Sequence, residues 1–287
     1  MTTSYTASAG RPRGVVGALK LALRIALGGG RLLWRYPKLV LPLVPIFVLV
    51  LGTMLSLLFI QSFVLQLLVV FAVAYALMFS FAITSHMLNQ IENGGRPSIL
   101  AALSSSGTVR MIPRVFALSV IWYVLVFILV VVETALRGLL GRINERLADA
   151  AVAFIFGAVA DALRMAGFML VAIMTFEDIG LRPATGRLRQ VVSGNPITIL
   201  GGLALTKAVA LLSVLAVMVL PESLGRFLLI PLAVLWILGM YLEQIFVTGL
   251  YLYATRPDSR IVEILLQDFL SRELPQLPRA LAEQPAA

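Results

Sequence analysis

The sequence predicts an all-α fold: a polytopic transmembrane helix bundle of six spans, with short amphipathic helices at the membrane surface. Three observations carry this. Of 287 residues, 60% are hydrophobic and 13% charged, with a mean hydropathy of +0.98. Soluble domains are nearer about half apolar and about a quarter charged, so much of this chain needs hydrocarbon as its solvent. Six apolar stretches approach or exceed the roughly 20 residues that cross a bilayer as helix. Finally, Lys and Arg gather outside those stretches, mostly at alternate ends of them.

Taken in order, residues 1–13 read as a flexible polar tail. No short apolar region with a small-residue cleavage site follows, so a cleaved signal peptide is not expected. Residues 14–257 then form the membrane domain, opening with "GVVGALKLALRIALGGGRLLWRYPK". Here Lys20, Arg24, Arg31 and Arg35 are spaced 4, 7 and 4 apart, one stripe if a helix continues through Gly28–Gly30. Val16, Leu19, Leu23 and Leu27 make an apolar stripe. Two readings stand: an interfacial helix gripping anionic lipid headgroups, or flanking charge with Trp34 and Tyr36 as belt aromatics. Both put the segment at the cytoplasmic surface.

The six spans are Leu39–Ile60, Leu67–Leu88, Val115–Val132, Ala153–Phe176, Ile197–Leu220 and Phe227–Ala254. Unbroken runs such as "VFILVVV" lack the alternation of barrel strands, and helices satisfy their own backbone. Pro42 and Pro45 predict a bend in the first span. After the third, "ETALRGLLGRINERLADA" repeats Leu136, Leu140, Ile143 and Leu147 at helical spacing. That predicts a short amphipathic helix on the outer leaflet, with a protein-docking surface as the other reading. Residues 258–287 predict a cytoplasmic amphipathic helix and a loose tail. The helix face is Ile261, Val262, Leu265, Leu266 and Phe269, with Asp258 or Ser259 as N-cap. Pro275, Pro278 and Pro285 end it.

Outside the spans, seventeen Lys and Arg fall on the side of the two termini and four on the other. The positive-inside rule then puts both termini in the cytoplasm and the chain in the inner membrane as a multi-pass protein. The net charge of +9 therefore points to lipid headgroups rather than nucleic acid.

The second, fourth and sixth spans each exit through Arg-Pro, at Arg96, Arg182 and Arg256. Proline favours the first turn of a new helix and pushes its predecessor out of helix, so each pair predicts a corner followed by a short in-plane helix. The arginine there can reach phosphate. The stretches "RIALGGGRLLWRYPKLVLPLVP", "ENGGRPSILAAL" and "YLYATRP" resemble a family of bacterial integral membrane proteins whose activity is uncharacterised. They are also distantly similar to the membrane domain attached to some glycerophosphodiester phosphodiesterases. The resemblance runs from about Arg24 to Pro257; it implies a six-helix bundle and no activity, and the phosphodiesterase catalytic domain has no counterpart in this chain.

Four charges lie inside predicted spans: Asp161, Arg164, Lys207 and Glu243. Counted from the cytoplasmic ends, all four sit at a similar depth, roughly 15 to 23 Å at about 1.5 Å per residue. Each alone is costly in hydrocarbon, so a neutral cluster joining spans four, five and six is expected. It reads as a transport pathway or as a packing clamp. A third reading starts span four later and puts Asp161 and Arg164 in the outer headgroup region. His86, Asn89 and Gln90 form a weaker interfacial group, and Glu177–Asp178 a weak cation candidate.

There are no cysteines and one histidine, and no P-loop, H-E-x-x-H or G-x-S-x-G occurs. Hence no catalytic residue, metal or cofactor is expected. A non-enzymatic structural or membrane-organising protein is the first expectation, a small transporter or channel using the four charges the second, and a lipid-handling membrane enzyme the third. Membrane lipids, chiefly anionic ones, are the expected partners; protein partners and self-association are left open.

Overall fold

The computed structural model describes residues 14–57, 59–104, 106–140, 145–202 and 229–273. They form helices α1 (Gly14–Arg35), α2 (Leu43–Leu57), α3 (Phe63–Glu92), α4 (Ile99–Ser104), α5 (Ser106–Leu140), α6 (Glu145–Glu177) and α7 (Leu181–Gly194). Then come α8 (196–202), α9 (Leu229–Thr255) and α10 (Arg260–Glu273). A 3-10 turn, Pro37–Val40, joins α1 to α2, and no strand occurs among the described residues.

The bundle carries the long apolar helices of a multi-pass membrane protein. Phe63–Glu92, Val109–Leu139, Ile155–Glu177 and Val234–Thr255 are each long and apolar enough to cross a membrane. The first predicted span is shorter than expected. α2 has 15 residues, roughly 22 Å of helix, and reaches crossing length only with α1, from which it is bent by 108°. The break falls at Tyr36 and Pro37, not at Pro42 or Pro45, because proline at the head of a segment stops the preceding helix. Most of the fifth predicted span, with Lys207, lies outside the described residues.

The connection between α5 and α6 also differs from expectation. "ETALRGLL" is not a separate surface helix but the end of α5, and "ERLADA" is the start of α6. Nothing in either stretch breaks a helix, so α5 and α6 extend through them, and residues 141–144 between, with Ile143, lie outside the described residues. Glu133 and Arg137 pair one turn apart there, at 2.6 Å.

Burial is uneven along the long helices. Near the Arg-Pro exits it is almost complete: Ser80–Ser85 of α3, Gly167–Phe176 of α6 and Glu243–Leu252 of α9. Phe81 and Phe168 pack there with ring centroids 3.8 Å apart. Toward the other end, Phe63, Val64 and Leu68 of α3 and most of α5 face outward. The difference arises because α1, α4, α7 and α10 jacket the Arg-Pro half only.

Arg96-Pro97 and Arg256-Pro257 precede the short helices α4 and α10 as expected, whereas Arg182-Pro183 lies inside the first turn of α7, whose N-cap is Gly180. α10 is amphipathic as expected, but Ile261, Val262, Leu265 and Leu266 are buried against protein; the side chain of Phe269 lies outside the described residues. Ser259 is its N-cap, accepting the Val262 N–H at 3.3 Å. Glu92, at the end of α3, accepts the Ile261 N–H at 3.1 Å and the Ser259 hydroxyl at 3.0 Å, a cap supplied from another helix.

α1 runs unbroken through Gly28–Gly30, and the glycines explain why. A Cβ on Gly28 would strike the backbone carbonyl of Leu265 in α10, so only glycine lets the two helices touch. A Cβ on Gly30 would meet nothing within 4 Å. Gly28→Val should therefore cost about 1–3 kcal/mol and lower the melting temperature in detergent, since backbone cannot move aside as a side chain can. Gly30→Ala should leave melting unchanged or raise it. Equal melting of both variants would contradict the packing.

Candidate functional site

Three of the four predicted intramembrane charges meet. Arg164 of α6 sends Nη2 to Asp161 Oδ1 at 3.2 Å and Nε to Glu243 Oε1 of α9 at 3.0 Å. Asp161 and Arg164 are three apart, hence on one helix face. The two carboxylate residues are buried, 8% and 2% exposed, whereas the Arg164 side chain keeps 32% of its surface. The guanidinium is thus a cross-link that remains partly open on one side. Lys207 lies outside the described residues.

The neighbours of Glu243 belong to the same site. The Gln244 side-chain amide donates to the Phe81 carbonyl of α3 at 2.9 Å, while its Oε1 is buried with no partner among the described residues. The Tyr241 hydroxyl donates to the Gly29 carbonyl of α1 at 3.2 Å. "MYLEQ" shows these polar groups in the sequence, but which helix each one faces is a tertiary fact.

The Arg-Pro end holds a second set of ionic contacts. The Glu177–Asp178 pair expected as a weak cation site is occupied by arginines and a tyrosine. Asp178 bonds Arg114 at 2.8 Å and Arg110 at 3.4 Å, both from α5. Glu177 accepts the Tyr251 hydroxyl at 2.8 Å and Arg187 Nε at 3.3 Å. No group of three or more potential metal ligands occurs among the described residues. The hydrogen bond from Arg114 holds the Asp178 carboxyl below the usual carboxylate range, with the charges of both arginines adding to it. Asp178 has φ +47, a left-handed turn that a short polar residue tolerates.

The predicted headgroup contacts separate into groups. Lys20, Arg31 and Arg35 are exposed on α1, Arg24 is half-buried, and Trp34 beside them is 92% exposed. Arg96 and Arg182 are exposed at their corners. Arg256 is exposed as well, but its Nη2 also lies 3.4 Å from the Phe176 carbonyl near the end of α6. His86 does not make the anchoring bond expected of it through Nε2, which is buried without a partner among the described residues.

Removing Arg164 leaves two buried carboxylates facing each other, so Arg164→Met should destabilise by on the order of 3 kcal/mol. Glu243→Gln keeps the Asp161–Arg164 pair and should cost less, and the double variant should recover part of the loss. Thermal unfolding in detergent checks the order. At the exposed Asp178 site the sign runs the other way from a buried base: its folded pKa is lowered, so its contribution is present above the ordinary carboxylate range and lost as pH falls below it. Asp178→Asn should flatten that acid limb with an effect under about 1 kcal/mol.

No family model matches the chain, and neither a curated protein nor a solved structure does.

Proposed function

We propose that this is a non-enzymatic, membrane-organising protein of the inner membrane, a six-span bundle with both termini and its Arg-Pro end in the cytoplasm. Its job is to hold anionic lipid at that face. The observation that carries this is the three-sided character of α1. One side, with Leu21, Ile25, Gly28 and Leu32, is locked into the bundle. A second side offers Val16, Leu19, Leu23, Leu27 and Trp34 outward. Between them runs the basic stripe of Lys20, Arg24, Arg31 and Arg35. A helix held this way offers acyl chains an apolar strip and phosphates a row of cations at once.

A second reading is a small transporter using Asp161, Arg164, Lys207 and Glu243. What favours it is the partly open guanidinium between two buried carboxylates. Lys207→Met separates the two: lost transport with normal abundance supports a pathway, and lost abundance supports a clamp.

Purification in mild detergent, followed by identification of co-purifying lipids, tests the first reading. The protein should retain anionic phospholipid in excess over its share of the membrane. Replacing Lys20, Arg24, Arg31 and Arg35 together by Gln should reduce that excess several-fold while the bundle still melts cooperatively. Equal lipid retention by both proteins rejects it.

A further inference from the structure

How deep the charge cluster lies can be read from α1. The 108° bend at Tyr36 turns α1 nearly perpendicular to α2. α2 packs along α3, with the Ser80 hydroxyl bonded to the Pro42 carbonyl at 2.7 Å. α1 therefore lies across the bundle rather than along it. It crosses α9 within one short interval. Gly29 receives the Tyr241 hydroxyl bond, and a Cβ on it would come within 3.3 Å of Ile245. Ile25, one turn earlier in α1, would be 3.0 Å from a Cβ on Gly249. Glu243, and through it Arg164 and Asp161, falls in the same interval.

An amphipathic helix lying across a bundle, with exposed Leu23, Leu27 and Trp34 beside exposed Arg31 and Arg35, is built for the headgroup boundary and not for mid-hydrocarbon. From Arg164 back to the start of α6 at Glu145 is roughly 28 Å of helix, of which the first ten residues carry Glu145, Arg146 and Asp149 ahead of the apolar run that starts at Ile155. From Ser80 back to the start of α3 is roughly 26 Å. The stretch from Arg164 to Glu177, roughly 20 Å, is the part jacketed by other helices. The outer face of α7 over that stretch shows Arg182, Thr185, Arg187, Arg189, Gln190 and Ser193, which suits water.

We infer that the headgroup layer rings the molecule at α1, that the Asp161–Arg164–Glu243 cluster sits at this boundary, and that the Arg-Pro end stands beyond it as a helical collar. The partner of the waist is the phosphate and glycerol layer of the lipids. The open side of Arg164 then faces polar headgroups, so a half-exposed guanidinium needs no pore to hydrate it. This rests on the membrane assignment above, and not on which compartment the collar faces.

The chain has no cysteine, so each introduced one is unique. Spin labels at Ile128→Cys, Ala162→Cys, Leu27→Cys and Thr185→Cys, all exposed positions, would be read in phosphatidylethanolamine–phosphatidylglycerol vesicles by collision with oxygen and with a water-soluble nickel chelate. Ile128 should report deep hydrocarbon and Thr185 water. Ala162 and Leu27 should both lie within about 5 Å of the phosphates. Val159→Cys, also exposed, should read about 4–5 Å deeper than Ala162 and serves if the latter variant folds poorly. Ala162 as deep as Ile128, with Thr185 still in water, overturns the depth and leaves the membrane assignment standing. Water at all positions overturns the membrane assignment itself.

Discussion

A single turn of α9 fastens the helix to three others. Tyr241 bonds the backbone of α1, Glu243 takes Arg164 of α6, and Gln244 bonds the backbone of α3. Residues 241, 243 and 244 point in different directions around a helix, so one turn can address three neighbours. Apolar surfaces alone fix little in such surroundings, since a leucine packs against lipid nearly as well as against another leucine. Hydrogen bonds and the ion pair set the register instead, and Phe81–Phe168 and the α1–α10 contact follow from that register.

The helical class and the existence of long apolar helices were legible because hydrocarbon demands long apolar runs, and such runs are visible one residue at a time. The meeting of Asp161, Arg164 and Glu243 was legible for a related reason: carboxylates buried among apolar helices are costly unless a cation reaches them. The boundaries were less so. The end of α5 and the start of α6 read as an independent surface helix, because a polar residue on a helix looks the same whether the helix has left the membrane or is lying on it. The buried face of α1 was missed altogether. Val16, Leu19, Leu23 and Leu27 form the more obvious stripe, yet the side that packs contains Ala18, Ala22 and Gly28, whose value is closeness and not hydrophobicity. The cap that Glu92 gives to α10 joins positions too far apart in the chain for spacing to reveal.

The Arg-Pro exits gain meaning from the core they surround. α3, α6 and α9 are each followed by such a corner, and these same three helices hold the most buried stretches of the long spans. The helices that lead into α3 and α6, α2 and α5, stand further out. Two units of similar plan, α2–α3–α4 and α5–α6–α7, thus each contribute one outer helix, one inner helix and one short helix at the end, and α9–α10 repeat the inner and short helices. Glu92 and Glu177 close two of those ends in different ways, one capping α10 and the other holding Tyr251 and Arg187.

The contact between Gly28 and Leu265 has a consequence for biosynthesis. α1 leaves the ribosome early, but the surface it packs on includes Gly249 and Leu265, which are made more than two hundred residues later. At roughly 5–20 residues per second, that is a wait of tens of seconds. During this interval Ile25 and Gly28 lack the α9 and α10 surfaces that they meet in the finished protein. If the outward leucines and cations of α1 meet lipid as proposed, they also give it a place to rest meanwhile, a holding site for the growing chain.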